Sequence, residues 1–479
     1  MNLGAAAEGR SRWDSVRVAV VAAVVFTLLR QRAMHGEDTR LFVLGLGSDH
    51  LDWLARHFLF LPTIQALGSV LRPLGASWFD VLQVAAIGGT ALGLFALHRA
   101  GRILLGNAAG PWLPVALALV PSWFFFATAA EIHGLFVLPL GCAWWALAAW
   151  REQPTFVRAG AVGLACGFAA TLHFTGYSLL PSLALTAWLL RVRPLPVLCR
   201  HVAVMVAMLL ATVAVLALGL GHAPWVQFAA ASQFSASWSQ RMHAGEVPGV
   251  VLREFVLPFL PWALLALAAF RQATLRPWAW AALATLAVHA VPPILALSNP
   301  EHLVEHGAYL TAFAVPLVLA SFHAVPRRVF AVGVVVSAGV AVALQCGRLE
   351  RVYDPAFVTS VQALRAERGP LAMIVASRSA DMEALTIGLD DQLYIDSDKV
   401  QAWINDPLGL TLPQWWDAMV AMLAGGRTLV VCDSARLAFA SHSHPEVRAL
   451  WEGHVARTCT LVPIERPALR GWVVLRKPG

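Results

Sequence analysis

Long apolar runs recur from the N-terminal region to near Cys346, and they constrain the fold more than any other feature of this chain. A helix of about 20 apolar residues crosses the hydrocarbon core of a bilayer. Only 13% of the residues are charged and 58% are hydrophobic, with a mean hydropathy of +0.65; soluble domains carry about 25% charged residues. The sequence therefore predicts an α-helical polytopic membrane protein with about eleven transmembrane helices.

The predicted spans alternate between two faces of the membrane. They cover Val18–Leu29, Phe79–Leu97, Ile103–Val120, Leu135–Trp150, two short spans within Arg158–Leu190, Val202–Leu220, Val251–Phe270, Trp278–Leu297, Ala308–Phe322 and Val329–Leu344. With this alternation the basic hinges share one face: Arg99/Arg102, Arg151/Arg158, Arg191/Arg193, Arg271/Arg276 and Arg327/Arg328. Arginine-rich loops are typical of the cytoplasmic side. We therefore expect a multi-pass protein of the inner or plasma membrane with a cytoplasmic N-terminus and an extracytoplasmic C-terminal part.

The net charge of +7 does not point to nucleic acid, because the arginines lie in these short hinges as topology signals. The six cysteines form no C-x-x-C pair, which favours small buried hydrophobic side chains over metal ligands or disulfides. The first apolar run is followed by RQRAMHGED, which lacks the small-residue pattern of signal-peptide cleavage. We interpret that run as a retained helix.

The polar interval HGEDTRLFVLGLGSDHLDWLARHFLFLP, from His35 to Pro62, holds an unusual share of the ionisable groups. Membrane proteins that keep many such groups beside the bilayer generally use them for chemistry or recognition. Glu37 and Asp38 are adjacent carboxylates, and either could act as general base toward an acceptor hydroxyl. The alternative is a solvated connector that satisfies nearby helix ends.

Further candidates fall on the same predicted outer face. Glu131 and His133 lie in an apolar frame at a span boundary, where an acid could also serve only to stabilise a helix N-terminus. His173 lies at a break in apolar sequence, and a structural histidine is an equal alternative. Arg241 and Arg253 offer the guanidinium geometry that suits phosphate, unless they are ordinary interfacial arginines. The segment EHLVEH, 301–306, differs from the H-E-x-x-H zinc pattern, so no ligand motif supports a divalent metal and no cofactor is assigned.

The region after Asp354 is predicted to be a small soluble α/β domain. Four apolar runs are typical of buried strands: Leu371–Ser377, Gln392–Ser397, Thr428–Ser434 and Gly471–Lys477. Helical patterns separate several of them: Phe357–Arg368, Ala380–Ile387 and Leu412–Leu423. No glycine-rich phosphate fingerprint follows any of these strands, so nucleotide binding has little support.

Three segments together resemble the bacterial protein O-mannosyltransferase-like membrane proteins of the GT-C glycosyltransferase class. HGEDTRLFVLGLGS…RHFLFLPTIQALGSVLRPLG resembles the first outer loop, with its acid motif and following histidine segment. PSWFFFATAAEIHGLFVLPLGCAWWALAAWRE resembles the second motif, and GLACGFAATLHFTGYSLLP resembles the third. Two departures stand out, because His35-Gly36 replaces the leading acid and Phe58-Leu59-Phe60 replaces a Pro-Pro-Gly segment.

The resemblance implies an inverting glycosyltransferase, hexosyl or mannosyl in type, that takes a sugar from a polyprenyl-phosphate donor on the outer face of the bilayer. Position by position, it makes Glu37 and Glu131 counterparts of the two motif acids, and His57 and His173 counterparts of the motif histidines. With the residue-based candidates added, the predicted catalytic residues are Glu37, Asp38 and Glu131. The predicted substrate contacts are Arg56, His57, His133, His173, Arg241 and Arg253.

The implied organisation is a GT-C-like transmembrane domain over residues 1–350, with a catalytic first outer loop at 31–78, and an extracytoplasmic α/β accessory domain over 351–479. The acceptor, whether protein, lipid or glycan, is open. Two other functions are open as well: a transporter or flippase of lipid-linked sugars, and a catalytically inactive relative that acts as a binding module.

Overall fold

A computed structural model describes residues 3–34, 37–48, 57–107, 110–227, 247–250, 252, 256–296, 307–345, 353–376, 379–389, 392–397, 400 and 410–477. The chain divides into two compact units. Unit 1 comprises Met1–Gln31, His50–Leu71 and Asp80–Leu349. Unit 2 comprises Arg32–Asp49, Arg72–Phe79 and Glu350–Gly479.

Unit 1 is a bundle of apolar helices. Its α-helices, together with α2, which belongs to unit 2, are α1 Leu3–Leu28, α2 Glu37–Ser48, α3 Phe60–Leu71, α4 Trp78–Leu105, α5 Trp112–Ala118, α6 Pro121–Thr128, α7 Ile132–Glu152, α8 Phe156–Leu172, α9 Leu179–Leu189, α10 Leu195–Gly219, α11 Val247–Val250, α12 Leu260–Leu267, α13 Arg276–Ala296, α14 Ala314–Ala324 and α15 Arg327–Gln345. Short 3-10 helices of unit 1 cover Phe174–Ser178, Leu257–Phe259, Ala268–Arg271 and Ala308–Phe313, and one in unit 2 covers Arg72–Leu74.

Three of the described helices are long and apolar enough to cross a membrane: α4, α7 and α10. Close contact between helices in this unit depends on small residues, as is usual in lipid. A Cβ on Gly163 of α8 would lie 2.1 Å from the Met205 carbonyl oxygen of α10. Only glycine lets these two backbones approach so closely, so α8 and α10 pack along one another.

The predicted span Ile103–Val120 is not one helix. Helix α4 runs on to Leu105, and Gly106 then takes a positive φ of 82°, a conformation that ends helices readily at glycine. Helix α5 has only 7 residues, about 10 Å of rise, which is too short to cross a bilayer. Pro121 starts α6 as a separate helix, because proline favours the first turn and bars the preceding residue from helical geometry.

Unit 2 contains a mixed five-stranded sheet in the order β2-β1-β3-β5-β4. The strands are β1 Leu371–Val375, β2 Leu393–Asp396, β3 Thr428–Cys432, β4 Cys459–Arg466 and β5 Leu469–Arg476. Strand β1 is parallel to β2 and β3, while β5 is antiparallel to β3 and β4. The four predicted strand runs lie on β1, β2, β3 and β5; β4 is an additional edge strand, where Pro463 is tolerated.

The helices of this unit are α16 Pro355–Arg368, α17 Ala380–Gly388, α18 Leu412–Ala424, α19 Asp433–Ala440, α20 Pro445–Ala449 and α21 Ala456–Thr458, with a π-helix at Leu450–Val455. A buried cluster packs α18 and α19 on the sheet; Trp416 and Phe439, at its centre, make an edge-to-face contact with ring centroids 5.8 Å apart. The helical patterns predicted after Asp354 correspond to α16, α17 and α18.

Part of the first polar interval belongs to unit 2. Arg40 of α2 is only 4% exposed, and its Nη1 lies 3.9 Å from the Met382 Sδ of α17. Its positive charge also acts on the buried phenol of Tyr394 on β2. Helix α2 is thereby packed against the α/β fold. The part of the predicted loop from Glu37 to Ser48 is therefore a helix, with Glu37 and Asp38 as its first two residues.

Candidate active site

Glu131 is held at the N-terminus of α7. The chain leaves α6 through extended residues, and Glu131 keeps an extended conformation with φ −138° and ψ 160°. Its Oε2 accepts a hydrogen bond from the Ile132 amide at 3.3 Å, and the residue is only 4% exposed. A carboxylate in this place stabilises the helix through its dipole, so the structure shows a capping role for this predicted catalytic acid.

Three predicted histidines lie together beside this acid. The rings of His57 and His173 are stacked, with centroids 4.7 Å apart and planes at 13°. The ring of His133, the second residue of α7, lies 4.8 Å from that of His173. Phe126 of α6 covers His133 at 4.8 Å, so an aromatic wall bounds the cluster. The alternation of spans put His133 and His173 on one face, and the structure brings the rings of His57 and His133 into contact with that of His173.

His173 is fixed by the break between α8 and the following 3-10 helix. Its Nδ1 lies 2.6 Å from the Thr175 hydroxyl and accepts the Thr175 amide at 3.2 Å. Since an amide can only donate, the neutral ring carries its proton on Nε2. Gly176 makes the turn possible, because a Cβ there would lie 2.3 Å from the Ala169 carbonyl carbon. The turn is thus pressed against α8, and His173 is a fixed donor at Nε2.

His57 reaches the cluster through the turn before α3. The Leu59 amide donates to the Thr171 carbonyl at 3.2 Å, which joins this turn to the last turn of α8. Phe58 is buried at 3% exposure and contacts His222 with ring centroids 6.0 Å apart. The segment that replaces the expected Pro-Pro-Gly therefore anchors His57 by burying an aromatic side chain.

A buried glutamine network lies at the end of α6 that precedes Glu131. The Gln345 Nε2 donates to the Thr128 hydroxyl at 2.7 Å and to the Leu29 carbonyl at 3.0 Å. The Gln83 Nε2 donates to the Gln31 carbonyl at 2.5 Å. These bonds join the ends of α1, α6 and α15 to α4. Sequence reasoning missed them; the available signal was three solitary glutamines within or beside apolar runs, where polar side chains are costly.

The other predicted site residues lie either in unit 2 or outside the described part of the chain. Glu37 and Asp38 are the first two residues of α2 in unit 2. Arg56, Arg241 and Arg253 lie outside the described residues, as does the EHLVEH segment. In the described part of the chain no group of three or more His, Cys, Asp or Glu could hold a metal ion.

Solved structures of known proteins share this architecture. The apo structure of ArnT from Cupriavidus metallidurans is 17% identical, with a TM-score of 0.59 over 99% of this chain and 100% of that one. The same protein bound to undecaprenyl phosphate is 16% identical, with a TM-score of 0.56 over 97% of this chain and 98% of that one. The Archaeoglobus fulgidus oligosaccharyltransferase, in complex with zinc and sulfate, is 12% identical, with a TM-score of 0.53 over 95% of this chain and 73% of that one.

No protein-family profile and no curated protein sequence matches the chain. The structural likeness nevertheless extends over almost its whole length. The chain has the fold of the GT-C class of membrane glycosyltransferases.

Proposed function

We propose that this GT-C-fold protein is an integral membrane glycosyltransferase that moves a sugar, hexosyl or mannosyl in type, from a polyprenyl-phosphate donor to an acceptor hydroxyl. The observation that supports this most is the likeness over 97% of the chain to ArnT bound to undecaprenyl phosphate. The second support is the group of His57, His133 and His173, whose rings contact one another close to Glu131, the N-cap of α7.

The reaction would be a single inverting displacement at the anomeric carbon. Such a step needs positioning of two substrates, a base for the acceptor hydroxyl and stabilisation of charge on the departing phosphate. Glu37, Asp38 and Glu131 are the candidate bases. Imidazole N–H groups, of which His173 Nε2 is one oriented donor, would stabilise the negative charge on the phosphate by hydrogen bonds. The guanidinium groups of Arg56, Arg241 and Arg253 would stabilise it as cations.

The proposal includes an orientation. About eleven crossings at the usual length per span would put the arginine hinges in the cytoplasm and the acids and histidines outside. Residues 1–350 would form the catalytic transmembrane domain, including the 31–78 loop, and 351–479 an extracytoplasmic accessory domain. A reporter that is active only outside the cytoplasm, fused after Gly479, should then give signal; a cytoplasmic signal would refute the orientation.

The chemistry is tested by transfer from radiolabelled polyprenyl-phosphate sugars to extracted acceptors in proteoliposomes that contain the full chain. Substitution Glu37→Gln preserves size and hydrogen-bonding shape but removes proton acceptance. If Glu37 is the base, turnover falls by about 10²–10⁴-fold while donor binding persists, and Asp38→Asn costs less. The reverse ranking would make Asp38 the base. Donor binding without transfer by the unmodified chain would contradict the enzymatic proposal and favour a binding module.

A further inference from the structure

The segment that carries Glu131 and His133 is short, so its position depends on how its two ends are held. It runs from Thr128, the last residue of α6, to Gly134 in the first turn of α7. Glu131 is three residues from Thr128, so the two Cα atoms are at most about 11 Å apart even in a fully extended chain. A displacement of either end would therefore move the Glu131 carboxylate.

The α7 end of this segment is pressed against α4. A Cβ on Gly134 would lie 2.6 Å from the Phe126 carbonyl oxygen and 2.7 Å from the Ala86 Cβ of α4, so only glycine fits there. The Thr90 hydroxyl, also on α4, donates to the Gly134 carbonyl at 3.1 Å. Ala86 and Thr90 are four residues apart and share one face of their helix. That face fixes the first turn of α7, which contains His133.

The α6 end is held by a directed chain of hydrogen bonds. The Gln345 Nε2 donates to the Thr128 hydroxyl at 2.7 Å and to the Leu29 carbonyl at 3.0 Å. Because a carbonyl can only accept, the second bond fixes the orientation of the Gln345 amide. The Thr128 hydroxyl donates in turn to the Phe125 carbonyl at 2.9 Å, and the Thr128 carbonyl accepts the Gln31 amide at 3.0 Å. Thr128 is thus the point at which α6 is joined to the ends of α1 and α15.

Neither helix needs the bond between Gln345 and Thr128 for its own formation. The Thr128 hydroxyl already bonds within α6, and Gln345 is the last residue of α15. Thr128 and Gln345 are 0% and 2% exposed, and in such an environment a hydrogen bond is electrostatically stronger than in water. The bond therefore adds a fixed distance between α15 and the residue from which the chain continues to Glu131.

We propose that Gln345 and Thr128 are positioning residues of the candidate active site. Through the backbone of residues 129–131 they hold Glu131 where its carboxylate can accept the proton of the acceptor hydroxyl. Such a role rests on the proposed function, with Glu131 as the base among the three candidates. Small displacements matter here, because misplacement of a catalytic group by about 1 Å can cost about 10²-fold in rate.

The first test compares Thr128→Val with Thr128→Ser in the full chain, reconstituted in proteoliposomes. Valine keeps the shape of threonine without the hydroxyl, whereas serine keeps the hydroxyl. We expect Thr128→Val to lower kcat about 10- to 100-fold with an unchanged KM for the polyprenyl-phosphate sugar, and Thr128→Ser to retain most of the turnover. Gln345→Met removes the same bond from the other side and should show the same split.

Thr186→Val is the matched control. The Thr186 hydroxyl is equally buried, at 1% exposure, and donates within its own helix α9 to the Ser182 carbonyl at 2.8 Å. This variant should have the kcat and KM of the unmodified chain.

Two further measurements separate positioning from a general loss of structure. Hydrogen exchange of the amides in residues 129–135 should be faster in Thr128→Val and Gln345→Met than in Thr186→Val, because the segment loses one of its supports. The double variant Thr128→Val/Glu131→Gln should have the turnover of Glu131→Gln alone, since a residue that acts through a carboxylate adds nothing once the carboxylate is gone.

Additive losses in the double variant would overturn the proposal, as would a normal kcat in both Thr128→Val and Gln345→Met. A rise in donor KM that parallels the fall in kcat would assign the two residues to stability alone. Normal turnover of Glu131→Gln would also overturn the positioning role, while transfer by the unmodified chain would leave the proposed function intact. Absence of transfer by the unmodified chain would contradict the proposed function itself, and the positioning role with it.

Discussion

Substitution Glu131→Gln separates the two roles that this carboxylate can have. The structure shows its Oε2 accepting the Ile132 amide at 3.3 Å, and a glutamine carbonyl oxygen can accept the same bond. Only the interaction between charge and helix dipole is then lost, about 0.3–1 kcal/mol of stability. If Glu131 is instead the base, turnover falls by about 10²–10⁴-fold, which corresponds to about 3 to 5 kcal/mol of barrier.

The assay pairs thermal unfolding with transfer of labelled sugar in proteoliposomes, on the same preparation. Asp354→Asn is the matched control, because Asp354 also caps a helix, α16, through a 2.8 Å bond from the Ala356 amide. For a catalytic Glu131, Glu131→Gln has near-normal unfolding and greatly reduced turnover, whereas Asp354→Asn is normal in both. Turnover of Glu131→Gln within about threefold of the unmodified chain would refute a base and leave the cap as the sole role.

Two further predictions concern stability. Gly176→Ala places a Cβ 2.3 Å from the Ala169 backbone, so the turn that holds His173 must shift. We expect the protein to lose about 1–3 kcal/mol of stability and to transfer sugar more slowly. In the control Gly88→Ala, the new Cβ meets nothing within 4 Å, so this variant should not be destabilised. Burial raises the pKa of Tyr394 to about 12, so the folded state retains this proton longer than the unfolded chain. The resulting contribution to the free energy of unfolding is present below about pH 10 and is lost as the pH rises toward 12. Between these pH values the free energy of unfolding of Tyr394→Phe should therefore fall less steeply with pH than that of the unmodified chain.

The apolar runs predicted several helices but not their interruptions. The runs around α7, α13 and α15 correspond to helices that differ from the predicted spans by only a few residues. The prediction of one span over Ile103–Val120 was wrong, because a run of apolar residues does not reveal that helices end at Gly106 and start again at Pro121. Helix α3, Phe60–Leu71, lies within residues 31–78, which were interpreted as the first outer loop. Its residues are mostly apolar, but the run is shorter than a span.

The three histidines were separate candidates in the sequence, and their contact with one another was not predicted. His57, His133 and His173 are far apart in sequence, and alternation of the spans was the argument that put the second and third on one face. Their ring contacts depend on local breaks, at Thr171 to Thr175 and at the turn before Phe60, which periodicity does not describe. The placement of the segment 32–49 in unit 2 was not predictable either, because the buried contact of Arg40 with Met382 joins residues more than three hundred positions apart.

The glutamine network has a consequence for biosynthesis. Gln345 is the last residue of α15 and supplies donors to Leu29 and Thr128, which emerge from the ribosome long before it. Until the C-terminal end of α15 has inserted, those early acceptors face a low-dielectric environment without their native partners, which is unfavourable in lipid. The ends of α1 and α6 also bond directly, from the Gln31 amide to the Thr128 carbonyl at 3.0 Å, so Gln345 completes a junction that earlier residues begin. A nascent chain that stops short of residue 345 lacks only these last donors.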